Sequence, residues 1–431
     1  MSQSGFGLIL RTFENRNFAI YSAGSGFSLI GKWMQRIAIG WLAWELTGEA
    51  FAVGIIAAAD MFPTFIMSPI SGAFADRLDR RRMLFWIQFL SMLQAIALAV
   101  LWFAGLVTFE ILVGLTVLLG ILTGANHPVR MAMLPSLVKN EDLPAAVAIT
   151  SVIFVAMTLL GPAIGAAVFH TFGIGVAFIV NVLGFLAILV SVMMLRLPPQ
   201  MRAEPHKRGF IGSVAEGIGY VARHAGLRAI IMITLTTSFF AWPVRELLPA
   251  ISDLMFDRGL NGLTLLLVAN GLGAVAAGLW LAQRGKGSQG MVRLQLSGIL
   301  AMVAALAVFA ITRQFAVGLA AMVLLGGGMA IAGTSGQTMT QMSVDPTKRG
   351  RVFSLHSMII GVGPAFGGLL VGALTDRYGV TAPLLVGAGL TGVVWLWAVS
   401  QAAAMRTSLE HAAPRSEQAT GPAGDALKAA E

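Results

Sequence analysis

The chain of 431 residues has no cysteine, so neither disulfides nor thiolate chemistry enters its design. Charge is almost as scarce: Asp, Glu, Lys and Arg make up 11% of the residues, against roughly a quarter in soluble globular domains. No Gly-rich segment ending in Lys-Ser or Lys-Thr occurs, and no side chains stand at metal-ligand spacing. Nothing points to an enzyme, a bound cofactor or a resident metal, and any work must draw on an ion gradient or on a substrate's own gradient. Met1 to Asn17 lacks a long apolar run followed by a cleavage site, so no cleaved signal peptide is expected.

Hydrophobic residues fill 57% of the chain and the mean hydropathy is +0.80. Apolar runs of about 20 residues, each able to cross roughly 30 Å of hydrocarbon as a helix, recur from Phe18 to near Met405. Their spacing predicts twelve spans, at 18–45, 52–75, 83–106, 109–131, 145–170, 174–195, 228–251, 262–284, 292–312, 315–338, 352–375 and 382–405. Gly, Ala and Ser are interleaved throughout, as suits helices packed closely in lipid. The short alternating segments of a membrane barrel are absent, so the expected fold class is an all-α membrane protein.

The few charges are unevenly placed. With the N-terminus in the cytoplasm, one face receives Arg11, Arg16, the cluster from Arg77 to Arg82, Arg130, Lys139, the basic residues between 196 and 228, Arg284, Lys286, Arg293, Lys348, Arg349, Arg351 and the tail. The other face receives Arg258, Arg313 and Arg377. By the positive-inside rule both termini are expected in the cytoplasm, in a multi-pass protein of the inner membrane. The net charge of +9 then reflects topology rather than nucleic-acid binding, since the basic loops are short and lack interleaved aromatics.

Residues 1–195 and 228–405 divide into two six-helix bundles. Between them, 196–227 is polar and basic and permits an amphipathic surface helix through Val214, Ile218, Val221 and Ala222. Residues 406–431 lack periodicity and are expected to be a disordered cytoplasmic tail. The halves resemble each other: Gly161-Pro162-Ala-Ile-Gly165 recurs as Gly363-Pro364-Ala-Phe-Gly367, 202 residues on (363 − 161). Gly72 has a counterpart at Gly278, followed by Arg284-Gly285-Lys286 where the first copy has a denser charge cluster. Such internal repeats are a known plan for secondary transporters, with substrate bound between the halves near the midplane.

Gly72-x-x-x-Asp76-Arg77-x-x-Arg80-Arg81 resembles the loop signature of the major facilitator superfamily, and Gly161-Pro162-x-x-Gly165 its antiporter signature. Trp33-Met34-Gln35 with Leu46-Thr47-Gly48, Pro128-Val129-Arg130 with Leu134-Pro135-Ser136-Leu137, and Arg349-Gly350-Arg351-Val352 are similar to the branch holding the enterobactin exporter and macrolide-efflux-like proteins. The chain departs from the fuller antiporter pattern at Met157 and Ala166, where glycines are usual. The resemblance implies a monomeric secondary transporter in the bilayer. It would export small amphipathic molecules, drug or siderophore-like, by alternating access with proton antiport. A metabolite facilitator or importer, a lipid or lysolipid flippase, and a transport-dead sensor are the alternatives.

Three groups of residues are candidates for function. Gly72, Asp76, Arg77, Arg80 and Arg81 lie opposite Arg349 and Arg351 at the start of the eleventh helix, whose positive end suits a carboxylate; together they would latch the cytoplasmic side. Pro162 and Pro364 kink their helices, with Gly161, Gly165, Gly363 and Gly367 allowing close packing. Charges inside the spans cost roughly 2.5 to 3.5 kcal/mol each at a helix centre. They are Lys32, Arg36, Asp60, Arg245 and Glu246. Arg36 and Asp60 lie at nearly equal depth and are placed to pair, with Glu246 somewhat shallower; Asp60 and Glu246 are the candidate proton carriers. Trp41, Trp44 and Phe74 sit near helix ends, where interfacial anchoring is expected.

Overall fold

A computed structural model describes residues 11–75, 78–196, 218–283, 290–344 and 348–409. Among these residues the helices are α1 (Arg16–Thr47), α2 (Ala50–Ala75), α3 (Arg80–Phe103), α4 (Phe109–Met133), α5 (Leu143–Phe172) and α6 (Gly175–Met194). The seventh crossing comes in three pieces, α7a (Ala225–Phe240), α7b (Pro243–Glu246) and α7c (Leu248–Phe256). It is followed by α8 (Gly259–Gln283), α9 (Met291–Ile311), α10 (Phe315–Ser343), α11 (Arg349–Tyr378), α12 (Thr381–Ser400) and a short α13 (Ala402–Leu409). Ten of the twelve crossings have the length and apolarity to span a membrane, while α1 carries Lys32 and Arg36 inside it. Of the predicted linker at 196–227 and tail at 406–431, residues 197–217 and those beyond 409 lie outside the described residues.

Turn chemistry sets the helix ends. Gly48 closes α1 with φ +66°, its amide bonded to the Trp44 carbonyl, a left-handed cap that glycine adopts without strain. Asp79 caps α3 by accepting from the Arg82 amide, and Thr108 caps α4 by accepting from Ile111. The face bearing Arg80, Arg81 and Arg82 is called the hairpin face below, and the opposite one the far face.

The seventh crossing differs from its predicted span of 228–251. It breaks after Phe240 and again at Leu247, because Pro243 and Pro249 cannot continue a hydrogen-bond ladder and instead open new helical pieces. It then runs on to Phe256, so Glu246 stands 10 residues from its far end (256 − 246). That corrects the expected shallow position of Glu246.

Close packing comes from glycines other than the one singled out in the loop signature. A Cβ at Gly72 would meet only Pro128 at 3.8 Å, an ordinary contact, so Gly72 is not where α2 approaches a neighbour. The approach is made by Gly120 and Gly124 of α4, where a Cβ would collide with the carbonyls of Asp60 and Thr64 on α2. Thr64 reinforces the joint by donating to the Gly120 carbonyl at 2.9 Å. The halves meet where α2 packs on α11, α5 on α8, and α1 on α7c. Gly54 lies against the Gly368 backbone, and a Cβ at Gly372 would stand 2.7 Å from the Ala50 carbonyl, a small-residue crossing of the kind that membrane helices use.

Gly124→Ala should therefore lower the thermal unfolding temperature in detergent, at an overpacking cost of about 1 to 3 kcal/mol. Gly114→Ala, whose added methyl meets nothing within 4 Å, should leave it unchanged or raised.

Candidate substrate cavity

Three intramembrane charges meet at one depth. Arg36 is 11 residues from the far end of α1 (47 − 36), Asp60 is 10 from that of α2 (60 − 50), and Glu246 is 10 from that of α7c. At about 1.5 Å per residue all three lie some 15 Å below the far face. Arg36 Nη1 is 3.1 Å from Asp60 Oδ2, and Nη2 is 3.1 Å from Glu246 Oε1. One guanidinium thus holds a carboxylate from each half, in the fork geometry that suits Arg and not Lys, with the Trp33 ring 5.7 Å from its centre.

This triad lies on the wall of a cavity of about 440 Å3, within the usual range for small-molecule sites. The cavity reaches from Val53, one turn inside α2, past Asp60 to Arg130, three residues from the hairpin end of α4. Its walls come from α1 to α6, and among the described residues Glu246 alone represents the second half. The expected site between the halves is thus recessed into the first half. Lys32 donates to Thr123 Oγ1 at 3.0 Å. The Arg130 guanidinium sits 6.0 Å from the centre of the Tyr21 ring, its buried Nε without a hydrogen-bond partner. Asn126 and His127 line the same end. Arg245 does not reach this cavity; it faces a side pocket of about 50 Å3 shared with Arg36, Trp33 and Pro249. Among the described residues no methionine lines the main cavity.

The far face is sealed by contacts between the halves. Asp376, at the end of α11, accepts from the amides of Ala50 at 2.7 Å and Phe51 at 2.8 Å, capping the exposed start of α2. Trp44 is buried and its Nε1 donates to Asp253 of α7c at 3.1 Å. It therefore joins the halves instead of anchoring at the interface as expected. Deeper in, Phe366 of α11 packs between Phe62 and Phe239, with ring centroids 4.7 and 6.2 Å away.

On the hairpin face, Arg80 donates to the Ala75 and Ala132 carbonyls at 3.2 and 2.9 Å, and Arg81 to those of Val192 and Met193 at 3.1 and 2.7 Å. These two arginines tie the ends of α2, α4 and α6 together. Asp76 and Arg77 lie outside the described residues, as do the side chains of Arg349 and Arg351, although their backbones open α11. The repeated Gly-Pro motif is a packing cradle. A Cβ at Gly161 would stand 2.7 Å from Trp33 and one at Gly165 3.1 Å from Met34, both of α1. Gly363 lies equally close to Ser238, and Gly367 to Phe239 and Pro243, on α7. Pro364 lies within the unbroken helix α11.

Residues 9–422 match the family described as transmembrane secretion effector. The chain belongs to that family of major facilitator transporters. It is 23% identical to macrolide efflux protein A of Streptococcus pyogenes over 384 residues, covering 86% of this chain and 93% of that protein. It is 25% identical over 363 residues to the staphyloferrin A transporter of Staphylococcus aureus, covering 84% and 90%. Among solved structures, the nucleoside transporter NupG superposes with a TM-score of 0.67 at 12% identity, covering 89% of this chain and 98% of that one.

Two features of this major facilitator protein escaped the reading of its sequence. Gly72-Ala-Phe-Ala-Asp76-Arg77 recurs as Gly372-Ala-Leu-Thr-Asp376-Arg377, 300 residues on (376 − 76) and on the opposite face. A search for repeats at the six-helix period misses it, because it links α2 to α11 rather than to α8. The other is a chain of buried amides, in which Asn181 donates to Gln35 at 2.6 Å and Gln35 to Gln94 at 3.3 Å, tying α6, α1 and α3. Three uncharged amides in apolar spans were the available signal.

Arg36→Leu should destabilise the protein by about 3 to 5 kcal/mol by orphaning two carboxylates. The triple change Arg36→Leu, Asp60→Leu and Glu246→Leu should recover much of that loss in thermal unfolding. Asp376→Ala removes a cap worth about 0.5 to 2 kcal/mol. In this cysteine-free chain, a single Ala57→Cys reporter on the cavity wall should then react faster with an impermeant thiol reagent applied from the far face.

Proposed function

We propose that the protein exports amphipathic molecules bearing an acidic group across the inner membrane, by alternating access coupled to proton entry. The observation that carries this is the charge in the cavity. Lys32, Arg36 and Arg130 face it against Asp60 and Glu246, a net of +1 (3 − 2) with His127 neutral. Both carboxylates are engaged by Arg36, which leaves Lys32 and Arg130 for a substrate's acidic group while the apolar wall takes its body. The efflux and siderophore transporters among its relatives favour the same reading.

The basic bias makes the hairpin face cytoplasmic. The conformation described is then inward-facing, sealed at the far face and hollow toward Arg130. Substrate enters from the cytoplasm. After outward exposure, protons from outside neutralise Asp60 or Glu246. Because Glu246 belongs to one half and Arg36 to the other, neutralising it removes an ionic link between them and eases the return.

Asp376 supplies a template for the cytoplasmic latch. The Gly-Ala-x-x-Asp-Arg segment whose Asp376 caps α2 on the far face recurs in the sequence at Gly72 to Arg77, where α2 ends. Asp76 would cap α11 in the outward-facing state as Asp376 caps α2 in this one, giving each state its own carboxylate-to-helix latch.

In everted vesicles with an acid interior, the wild-type protein should accumulate an amphipathic organic anion. Asp60→Asn with Glu246→Gln should abolish the dependence on acidity while substrate exchange continues. Persistence of that dependence in the double variant would remove both residues from coupling, and absence of uptake in the wild type would favour a facilitator. Asp76→Asn should shift single-cysteine labelling toward the inward-facing pattern, and unchanged labelling would reduce the hairpin to a topology signal.

A further inference from the structure

The second half holds a buried polar chamber that the triad leaves unused. It lies among α7a, α9, α10 and α11, in a void of about 30 Å3 walled by Ser238, Gln295 and His356, with Trp242, Gly333, Gly336 and apolar side chains around them. Ser238 Oγ, Gln295 Oε1 and both ring nitrogens of His356 are buried without a hydrogen-bond partner, as is Ser335 Oγ beside Gly336. The threonines of the same wall do not relieve them: Thr234 and Thr237 donate to the Ile230 and Ile233 carbonyls of their own helix. Apolar packing alone would have placed carbon at these positions.

Buried polar atoms find partners in protein or in ordered water. A void needs roughly 10 to 15 Å3 to hold one water, so this one suits about two. Two waters can bridge an imidazole, an amide oxygen and a serine hydroxyl, the composition of a proton-binding site. We propose that the chamber is a hydrated proton site centred on His356, with Ser238 and Gln295 as the acceptors that hold the cationic form.

Charge around the chamber is sparse. Among the described residues no carboxylate or cation lines it. α7 carries Arg228 near its start and Arg245 with Glu246 beyond Trp242; α9 carries Arg293, α11 has Arg349 and Arg351 at its start and Asp376 and Arg377 at its far end, α13, packed on α7a, has Arg406, and α10 carries none. His356 is therefore the titratable group of the chamber itself. Gly333 is an exposed edge of it, and Gly333, Gln337 and Gln341 form an exposed stripe along α10 at four-residue spacing, so one edge of the chamber lies at the surface of the bundle.

The position gives a bound proton mechanical reach. Ser238 faces the chamber and also packs beneath Gly363, where α11 rests on α7a. The same α11 carries Phe366 and Asp376 of the far-face seal, and α7 leads on to Glu246. Charging His356 therefore acts on the joint between two of the helices that meet the first half. Use of the site in coupling rests on the proton-driven reading above, whereas its titration does not.

Trp242 reports on the chamber, since an imidazolium nearby quenches indole emission more than neutral imidazole does. Purified protein in detergent should lose fluorescence as acidity rises through the ordinary imidazole value of about 6.5 and below it, and Trp242→Phe should remove that component. His356→Gln, if it unfolds at the wild-type temperature, should also remove it while leaving Trp242 emission in place. In vesicles His356→Gln should lose the acid-driven gain in uptake but retain substrate exchange. A wild-type signal identical to that of Trp242→Phe overturns the proposal without any change at His356, as does a titration that survives in His356→Gln. Loss of the titration without loss of acid-driven uptake would leave a proton site and overturn its part in coupling.

Discussion

A guanidinium some 15 Å inside a membrane protein must be paired, and Arg36 is paired twice, with partners from different halves. Asp60 is fixed to the same bundle as Arg36 through α2, whereas Glu246 arrives on α7, whose two breaks at prolines carry it to the depth of the other two. The pairing engages both acidic groups that line the cavity and leaves Lys32 and Arg130 without an ion pair among the described residues. It also makes the contact between the halves sensitive to protonation, because a neutral glutamic acid no longer answers the charge of Arg36. On the proposed function, the cavity's selectivity and the coupling of the halves both descend from one desolvated cation. Removing Arg36 while keeping its partners is costly because the penalty lies in the orphaned carboxylates.

Helix ends obey the same constraint at the two faces. The last carbonyls and first amides of a helix lack internal partners, and near hydrocarbon they need donors or acceptors from elsewhere. Arg80 and Arg81 serve the carbonyl ends of α2, α4 and α6, all in one half, so their bonds survive any relative motion of the halves. Asp376 serves the amide end of α2 from the other half, so its bonds survive only while the far face is shut. The distinction between a structural tie and a gate lies in which halves are joined rather than in the chemistry of the bond.

Much of this was legible in the sequence. Apolar length gave the twelve crossings because in lipid a helix must satisfy its own backbone, and rare charges stood out as Arg36, Asp60 and Glu246 because the background is so apolar. The broken course of α7 was not legible in detail: prolines at 243 and 249 announce interruption but not whether the chain resumes its direction. Gly72 drew notice as part of a motif, yet a glycine's value depends on what faces it, and the facing backbone belongs to Gly54, Gly120 and Gly124. Trp44 read as an interfacial anchor from its place near a helix end, but Asp253, 209 residues on, supplies a buried acceptor that sequence proximity cannot reveal. The Asp376 segment was present in plain letters. It was hidden by the assumption that repeats keep their direction, whereas these two copies sit on opposite faces.

The two halves divide their labour unequally, although they descend from a common pattern. In the first, α1 to α6 enclose the cavity, and a chain of amides, Gln35 with Gln94 and Asn181, stiffens its back wall. In the second, Ser238 of α7a, Gln295 of α9 and His356 of α11 point into their own bundle, and among the described residues Glu246 alone lines the cavity. A wall that offers one carboxylate has little with which to grip a substrate but enough to sense the state of Arg36. On that reading the first half sets what is carried, and the second, through the α7 and α11 joint, sets when the far face closes. Changes in the specificity of this transporter should therefore map to α1, α2 and α4, and changes in its coupling to α7 and α11, a separation that selection for altered substrates and for altered pH dependence would expose in the same gene.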